Sequence, residues 1–265
     1  MHKFSICPLA SGSKGNSYLI TNGKTNILLD CGISLRSLKE GIIALGKTLT
    51  DISAIAVTHE HSDHIKGIGS AVRRLKIPVY ATLYTWRAMY KSIAPVPDEI
   101  IKVIEKEKPF YIEDIKLCAF AISHDAADPV GYSFFSGGKK ISVVTDTGIM
   151  NENILNSLKG SQIVLIEANH DKNMLAIGRY PFALKRRISG ECGHLSNEDA
   201  AYLAALLAKE GAKTILLGHL SEENNYPELA AVTVKNAFTE NGIKEENQPF
   251  LYVIPPKCIG KIFWI

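Results

Sequence analysis

The sequence predicts a single α/β domain spanning residues 1–265, with helices on the outer faces of two stacked β-sheets. Short β-rich runs alternate with helical stretches, which is typical of sheets covered by helices. No Pro-, Gly- or Ser-rich linker divides the chain, and 46% of its residues are hydrophobic, enough to bury a sizeable core. These observations exclude a disordered or fibrous protein.

The β-rich runs are short and bounded by turn residues, as expected of strands. Asn22-Gly23 and Gly137-Gly138 each separate two such runs and predict hairpin turns. We therefore expect antiparallel hairpins, above all in the first third of the chain. The predicted strands cover residues 4–8, 17–21, 25–30, 54–58, 79–81, 115–123, 131–135, 141–146, 163–168, 214–218, 251–254 and 261–264.

The helical stretches place apolar side chains at helical spacing. In the first of them the apolar positions would form one stripe along the helix, and they are Leu35, Leu38, Ile42 and Leu45. The predicted helices cover residues 34–45, 64–75, 83–93, 152–159, 197–209 and 226–239.

Composition narrows the class of protein. The formal net charge is only +3, which does not by itself predict a polyanionic partner. The five cysteines are scattered and never form a CxxC pair, which favours reduced thiols over a disulfide framework or a thiolate zinc site. The longest apolar runs fall far short of the ~18 residues of a membrane span, and the first residues lack the apolar core of a secretory signal. We therefore expect a soluble, cytoplasmic protein without membrane association, of unspecified oligomeric state, in which His2 is an exposed terminal residue.

A dense group of ligand-type side chains follows the predicted strand 54–58. His59 and His61 are two residues apart, so on extended backbone they point the same way. Asp63 and His64 form a second group once the chain turns. Imidazole and carboxylate ligands suit divalent ions such as Zn, Mn or Fe. Four such side chains exceed what one four-coordinate ion normally draws from one loop, so the segment predicts a dinuclear site; the alternative is a solvated His-rich loop.

Further ligand-type residues stand at the ends of three other predicted strands. They are His124, Asp146 and His219. In α/β sheets the crevice beyond the carboxyl ends of the strands is where ligands bind. Any one of these residues alone would be a buried histidine or a helix-capping aspartate. Together with the first group they predict one converging metal site.

The segment 58–64, THEHSDH, resembles the HxHxDH signature of the metallo-β-lactamase superfamily. The resemblance extends over nearly the whole chain, through SGSKGNSYLI, LLDCG, SHDAADPVGY, VTDTG and LGHLSEENN. It implies an αββα four-layer sandwich of two mixed β-sheets with helices on the outer faces. It also implies two divalent ions, Zn or Mn with Fe as a third option. One ion would be held by His59, His61 and His124, the other by Asp63, His64 and His219, with Asp146 bridging both.

Two later segments, EANHDKNML and GRYPFALKRRISGECGHLSNEDAA, resemble the bacterial YycJ/WalJ family, hydrolases linked to 5′-to-3′ exonuclease activity on DNA. The GHLS within them, which recurs at 218–221, also looks like a segment of RNase Z enzymes whose histidine lies beside the scissile phosphate. The resemblance implies phosphodiester hydrolysis by a metal-bridging hydroxide, with Asp63 and His194 as catalytic residues. His194 is the candidate proton donor to the leaving group; alternatively it orients a ligand or a carboxylate such as Glu167. His170 and Asp171 are weaker candidates.

Candidate substrate contacts lie in two other places. The segment 179–187 places Arg179, Lys185 and Arg187 among aromatic residues, which suits contact with nucleic acid, here DNA; the alternative is a solvated loop whose aromatics pack on the core. Ser196 lies at a predicted helix start, where backbone N–H groups favour a phosphate. Ser13 and Asn16 belong to a Gly- and Ser-rich segment that forms either an anion-binding nest or a plain β-turn.

Two other functions fit the same metal ligands. A small-molecule hydrolase acting on a cyclic phosphodiester, thioester or lactone would need the ions but not the basic segment. A binding module with purely structural metals is disfavoured, because structural sites are usually saturated by four protein ligands. An oxygen-reducing di-iron enzyme is also disfavoured, since such enzymes typically carry Glu where this chain has His61.

Overall fold

Two seven-stranded sheets form the centre of the computed structural model, which describes residues 4–265; His2 lies outside this range. The strands in the described range are β1 Ser5–Ala10, β2 Ser17–Thr21, β3 Asn26–Leu29, β4 Ala54–Ala56, β5 Val79–Thr82, β6 Ile101–Ile104, β7 Pro109–Ile112, β8 Ile115–Ala121, β9 Val130–Ser136, β10 Lys139–Val144, β11 Ile163–Glu167, β12 Thr214–Gly218, β13 Phe250–Val253 and β14 Phe263–Trp264.

Helices connect the parallel strands. They are α1 Leu35–Ala44, α2 Ser62–Ile65, α3 Ile68–Leu75, α4 Leu83–Ile93, α5 Glu152–Leu158, α6 Lys172–Ile177, α7 Phe182–Ile188, α8 Asn197–Lys209 and α9 Pro227–Glu240. Several begin at a side chain that accepts a backbone N–H, as Ser34 does for α1 and Thr82 for α4. Among the described residues, no helix combines the length and the apolar character that crossing a membrane requires.

Each sheet is half antiparallel and half parallel. The first sheet has the order β14-β1-β2-β3-β4-β5-β6, antiparallel as far as β3 and parallel beyond it. The second has the order β13-β12-β11-β10-β9-β8-β7, parallel as far as β10 and antiparallel beyond it. The predicted hairpins at Asn22-Gly23 and Gly137-Gly138 are confirmed, since they join β2 to β3 and β9 to β10. Antiparallel pairing thus extends beyond the first third of the chain.

Side-chain alternation divides the interior into three apolar layers. Ile27 and Leu29 point into the core between the two sheets, whereas Leu28 points to the core under the helices of the first sheet. In β11, Leu165 faces the inter-sheet core and Val164 faces the helices of the second sheet. The predicted fold, two mixed sheets with helices on their outer faces, is therefore confirmed. All five cysteines are free.

Some elements differ from the sequence expectations. The short strands β6 and β7 lie next to each other in sequence at the edges of the two sheets, and their mixture of exposed and buried side chains gave no clear pattern. The segment 172–188 forms the helices α6 and α7, which the sequence did not predict. The predicted helix 64–75 is interrupted at Gly67, where a Cβ would lie 2.1 Å from the Ile33 carbonyl oxygen.

A second glycine brings two loops together at the end of the first sheet. A Cβ on Gly32 would lie 1.5 Å from the carbonyl oxygen of Asp63. On the other side, the Asp63 carbonyl accepts a hydrogen bond of 2.7 Å from the Asn16 backbone N–H. The loops that follow β1, β3 and β4 therefore pack through their backbones, and only glycine fits at position 32.

We predict that Gly32→Ala lowers the free energy of unfolding by about 3 kcal/mol, because the added methyl group displaces the backbone at Asp63. Gly46→Ala is the matched control, because the φ of Gly46 is +71° but no neighbouring atom in the described part of the chain lies within 4 Å of the added carbon. The control should cost only about 1 kcal/mol, the cost of a left-handed conformation. Denaturant unfolding measures both. Equal losses in the two variants would contradict the close approach.

Candidate metal centre

The predicted ligands collect at one edge of the sandwich, beyond the ends of β4, β8, β10 and β12. Four overlapping groups of side chains each offer donor atoms within 4.8 Å of one another. The groups are His59, His61 and His124; Asp63, His64 and His219; His59, His64 and Asp146; and Asp146, Glu167, His194 and His219. The structure therefore brings all seven predicted metal ligands together.

Asp146 lies between two of these groups, the three histidines His59, His61 and His124 on one side and Asp63, His64 and His219 on the other. Its Oδ1 is 3.4 Å from His219 Nε2 and 3.9 Å from His124 Nε2. Its Oδ2 is 3.3 Å from His64 Nε2. Electrostatic attraction to the His219 and His64 imidazoles outweighs burial, so the pKa of this carboxyl lies well below its ordinary value. One carboxylate therefore reaches ligands of both groups, the position that a bridging ligand requires.

Backbone turns at the strand ends point these side chains inward. Asp30 follows β3 directly, Asp146 lies two residues after β10, and His219 follows β12. Their φ angles are 56°, 58° and 57°, in the left-handed region that Asp and His tolerate better than most residues. Strained backbone of this kind is concentrated at functional sites.

Asp30 fixes the orientation of His64. Its Oδ2 lies 2.8 Å from His64 Nδ1, and the same carboxylate accepts the backbone N–H and the hydroxyl of Thr58. The Nδ1–H of His64 is thereby held, and its Nε2 is directed into the cluster. Burial opposes protonation, but Asp146 and Asp30 raise the pKa of His64 well above its ordinary value. No local pattern in the sequence indicates this role for Asp30, although Asp30 lies within the LLDCG segment.

Glu167 fixes the orientation of two further histidines, His219 and His194. Its buried Oε1 lies 2.6 Å from His219 Nδ1 and 2.8 Å from His194 Nδ1, while Oε2 accepts the backbone N–H groups of Leu195 and Thr147. Burial alone would raise the pKa of the Glu167 carboxyl, but His194 and His219 lower it to about 2. The recurring GHLS segment therefore brings both of its histidines to one carboxylate. The contact expected between His194 and Glu167 is present, and it leaves His194 Nε2 available.

His124 is held by a backbone carbonyl. Its Nδ1 donates to the Gly193 carbonyl oxygen at 3.0 Å, and its Nε2 lies 3.2 Å from His61 Nδ1. The next residue, Asp125, forms a two-point ion pair with Arg187, with N–O distances of 2.5 and 3.1 Å. The charge of Arg187, a predicted substrate contact, is therefore partly neutralised beside the cluster.

The donor atoms fit divalent metal ions. Among residues 4–265, the buried His59 Nε2, Asp146 Oδ2 and His219 Nε2 have no hydrogen-bond partner. Leaving such an atom unsatisfied costs about 1–3 kcal/mol, which a bound cation would remove. Burial and the neighbouring His64 also hold the pKa of His59 well below its ordinary value, which favours its neutral imidazole.

The Gly- and Ser-rich segment forms a turn. The backbone N–H groups of Gly12, Gly15 and Asn16 all bond within the protein, so they do not form a nest for an anion. Asn16 is buried, and its Nδ2 lies 3.1 Å from Asp63 Oδ2. Asn16 therefore contacts the cluster through Asp63, whereas Ser13 is exposed on the turn; substrate contact by either residue stays a prediction.

Other predicted contacts are divided between surface and interior. Arg179 is exposed, while Lys185 donates to the Ala176 carbonyl oxygen at 2.6 Å. Ser196 is buried, and its hydroxyl caps α8 by accepting the Asp199 backbone N–H. Ser196 therefore caps the helix start that the sequence predicts, and its contact with a substrate stays a prediction.

The two weaker candidates lie outside the converging groups. Asp171 caps α6 by accepting the Met174 backbone N–H at 2.8 Å. His170 is buried, and its backbone carbonyl accepts the N–H of Asn197. Neither belongs to a group of converging donors in the described part of the chain.

The chain is similar to known proteins over most of its length. Residues 25–220 match the family model described as "Beta-lactamase superfamily domain". The chain is 37% identical over 262 residues to exodeoxyribonuclease YycJ of Bacillus anthracis, covering 99% of this chain and 98% of that protein. It is 38% identical over 240 residues to exodeoxyribonuclease WalJ of Streptococcus pneumoniae, covering 90% and 88%. The metallo-β-lactamase fold protein YhfI of Bacillus subtilis shares the fold, with a TM-score of 0.73 and 14% identity over 99% of this chain and 100% of that one.

We predict that Glu167→Gln weakens metal binding about 10–100-fold, because the amide presents an NH₂ group to donors that now share a carboxylate. Competition with a zinc-binding dye measures the affinity. Glu191→Gln, which changes an exposed carboxylate three residues before His194, is the control and should bind as the unmodified chain does. Unchanged affinity in Glu167→Gln would show that this carboxylate does not orient the ligands.

Proposed function

Because this chain belongs to the β-lactamase superfamily and, within it, to the YycJ/WalJ family, we propose that it is a metal-dependent phosphodiester hydrolase that degrades DNA from the 5′ end. The observation that carries the proposal is the cluster of seven imidazole and carboxylate ligands with unsatisfied donor atoms. Near full-length similarity to two exodeoxyribonucleases supports DNA as the substrate.

We infer that the cluster holds two ions, Zn or Mn with Fe as a third option. The first ion would be bound by His59, His61 and His124, the second by Asp63, His64 and His219, with Asp146 shared. When bound, such ions lower the pKa of a coordinated water and offset the charge of the phosphate. The hydrogen bonds of Asp30 and Glu167 hold the ligand rings in place beforehand.

The contacts within residues 4–265 leave one oxygen of the Asp63 carboxylate for the proposed proton transfer. Its contacts with Asn16, His64 and His219 all involve Oδ2. Oδ1 is therefore the oxygen that can accept the proton of the attacking water. The Asp63 side chain is 20% exposed and that of Asp146 only 3%, so Asp63 is also the more accessible of the two carboxylates. This arrangement supports the catalytic role proposed for Asp63.

The surroundings of His194 support a role for it at the leaving group. Its ring lies 5.1 Å from that of His124 and 5.3 Å from that of His219. Because Glu167 holds Nδ1, the Nε2 nitrogen is the one that can donate to the leaving oxygen of a phosphodiester. The backbone N–H of His194 also bonds to the Ile188 carbonyl at the end of α7, which brings the basic segment 179–187 beside the site.

We predict metal-dependent, stepwise cleavage of single-stranded or duplex DNA. A 5′ label should be released early as a short product, whereas 3′-labelled DNA should shorten progressively; gel analysis of both separates the two polarities. His61→Ala, which removes one ligand, is the inactive control. Hydrolysis of a small cyclic phosphodiester, thioester or lactone without cleavage of DNA would instead support the small-molecule hydrolase.

We predict that His194→Ala lowers kcat on DNA about 10²–10³-fold, because the alkoxide leaving group loses its proton donor. Bis(p-nitrophenyl) phosphate, whose leaving group needs no proton, should be affected far less. Metal content, measured by elemental analysis, should equal that of the unmodified chain. Equal losses on both substrates would show that His194 acts only through the ligands it contacts.

A further inference from the structure

One segment has a positive net charge, whereas the rest of the chain has a slightly negative one. Residues 64–97 contain six Lys and Arg and no Asp or Glu, whereas the remaining residues contain 24 basic and 27 acidic side chains. The six basic residues lie in or next to α3 and α4, and they are Lys66, Arg73, Arg74, Lys76, Arg87 and Lys91. We call the exposed surface of these two helices, with these six residues, the α3–α4 face.

The charge of the α3–α4 face is not neutralised. All six cations are exposed, and within residues 4–265 none of them lies within 4.0 Å of a carboxylate oxygen. Lys66 donates to the Lys14 backbone carbonyl, which carries no full charge. In the segment 179–187, by contrast, Arg187 is paired with Asp125. The α3–α4 face therefore presents six positive charges that no carboxylate within residues 4–265 neutralises.

This face begins at the rim of the metal cluster. Helix α3 follows the HxHxDH segment after three residues, and the N-cap hydroxyl of α4, on Thr82, bonds to the Asp128 carbonyl at 3.2 Å. Asp128 belongs to the loop after His124, and in the same loop Asp125 contacts α7. The loop 124–129 thus connects both basic elements to the cluster. From this rim, the 11 residues of α4 extend for roughly 16 Å.

Exposed aromatic rings accompany the cations on α4. The side chains of Tyr84 and Tyr90 are 56% and 41% exposed, and that of Leu83 is 42% exposed. The guanidinium of Arg87 lies 5.5 Å from the centre of the Tyr84 ring. Cations that contact phosphates beside rings that can stack on bases are the combination that binds nucleic-acid strands.

We propose that the α3–α4 face binds the sugar–phosphate backbone of DNA as it leads away from the metal cluster; this rests on the proposed function. The occupant follows from charge complementarity, because an array of unpaired cations matches a polymer with one phosphate per nucleotide. At 3.4 Å per nucleotide, the length of α4 corresponds to about five nucleotides. The face thus supplies affinity for the polymer, while the cluster acts on its end.

The test reverses charge on α4 with Arg87→Glu and Lys91→Glu together. The matched control is Lys213→Glu with Lys235→Glu, two exposed lysines on the side of the second sheet. Fluorescence anisotropy with labelled DNA in EDTA, which prevents cleavage, gives Kd as a function of salt. Unfolding midpoints and metal content establish that both variants fold.

We expect the α4 variant to raise the Kd for DNA at least about tenfold and to reduce the slope of log K against log salt by about 1 to 2, because each lost phosphate contact contributes about 0.7–0.9. The control should stay near the unmodified chain. Equal Kd values for the two variants would overturn the proposal. Loss of binding to phosphatidylserine vesicles with unchanged DNA binding would overturn it in favour of a membrane surface. Absence of cleavage by the unmodified chain would contradict only the proposed function, since the anisotropy measurement needs no turnover.

Discussion

The candidate metal site depends on two carboxylates, each of which binds the histidine nitrogen that faces away from the site. His64 and His219 each present Nε2 to the centre only because Asp30 and Glu167 bind Nδ1 from behind. Without these contacts, each ring would be free to rotate about its side-chain bonds and the donor atoms would lose their convergence. The buried carboxylates in turn need the imidazoles, because an unpaired charge in the interior is costly. Ligands and supporting groups are therefore stable only as a set.

The sandwich explains why this set assembles at one edge. Parallel strands end on the same side of a sheet, and the residues just beyond β3, β10 and β12 turn inward through left-handed backbone. The backbone contact between Gly32 and Asp63 closes the same edge from the first sheet. Ligands separated by 160 residues in sequence, such as His59 and His219, therefore meet at this edge. The backbone strain at the few left-handed residues is offset by the packing of the two sheets.

The sequence predicts those features that depend on residues close together in the chain, such as a run of ligand-type side chains or a turn between two strands. The HxHxDH segment identifies four ligands in six positions, and the hairpin glycines predict two of the antiparallel pairs. Asp30 is a single common residue whose partner lies 34 positions away, so no local pattern identifies it. Glu167 emerged only as an alternative partner for His194, and its bond to His219 could not be read from spacing. The helix α7 was missed because its residues read equally well as a basic loop.

The net charge of the chain gave no sign of the basic α3–α4 face, because it is a sum over all residues. A total of +3 averages a strongly basic stretch, residues 64–97, with an acidic remainder. In the basic segment 179–187, by contrast, Arg187 is bound to Asp125 beside His61 and His124. An arginine held next to metal ligands is better suited to ordering the site than to capturing a distant phosphate. The unpaired cations on α3 and α4 would suit the proposed exonuclease in a different way, because weak, salt-sensitive contacts would let DNA advance as its end is consumed. The separation of ordered charge at the site from unpaired charge on α3 and α4 is what an enzyme acting stepwise on a polyanion needs.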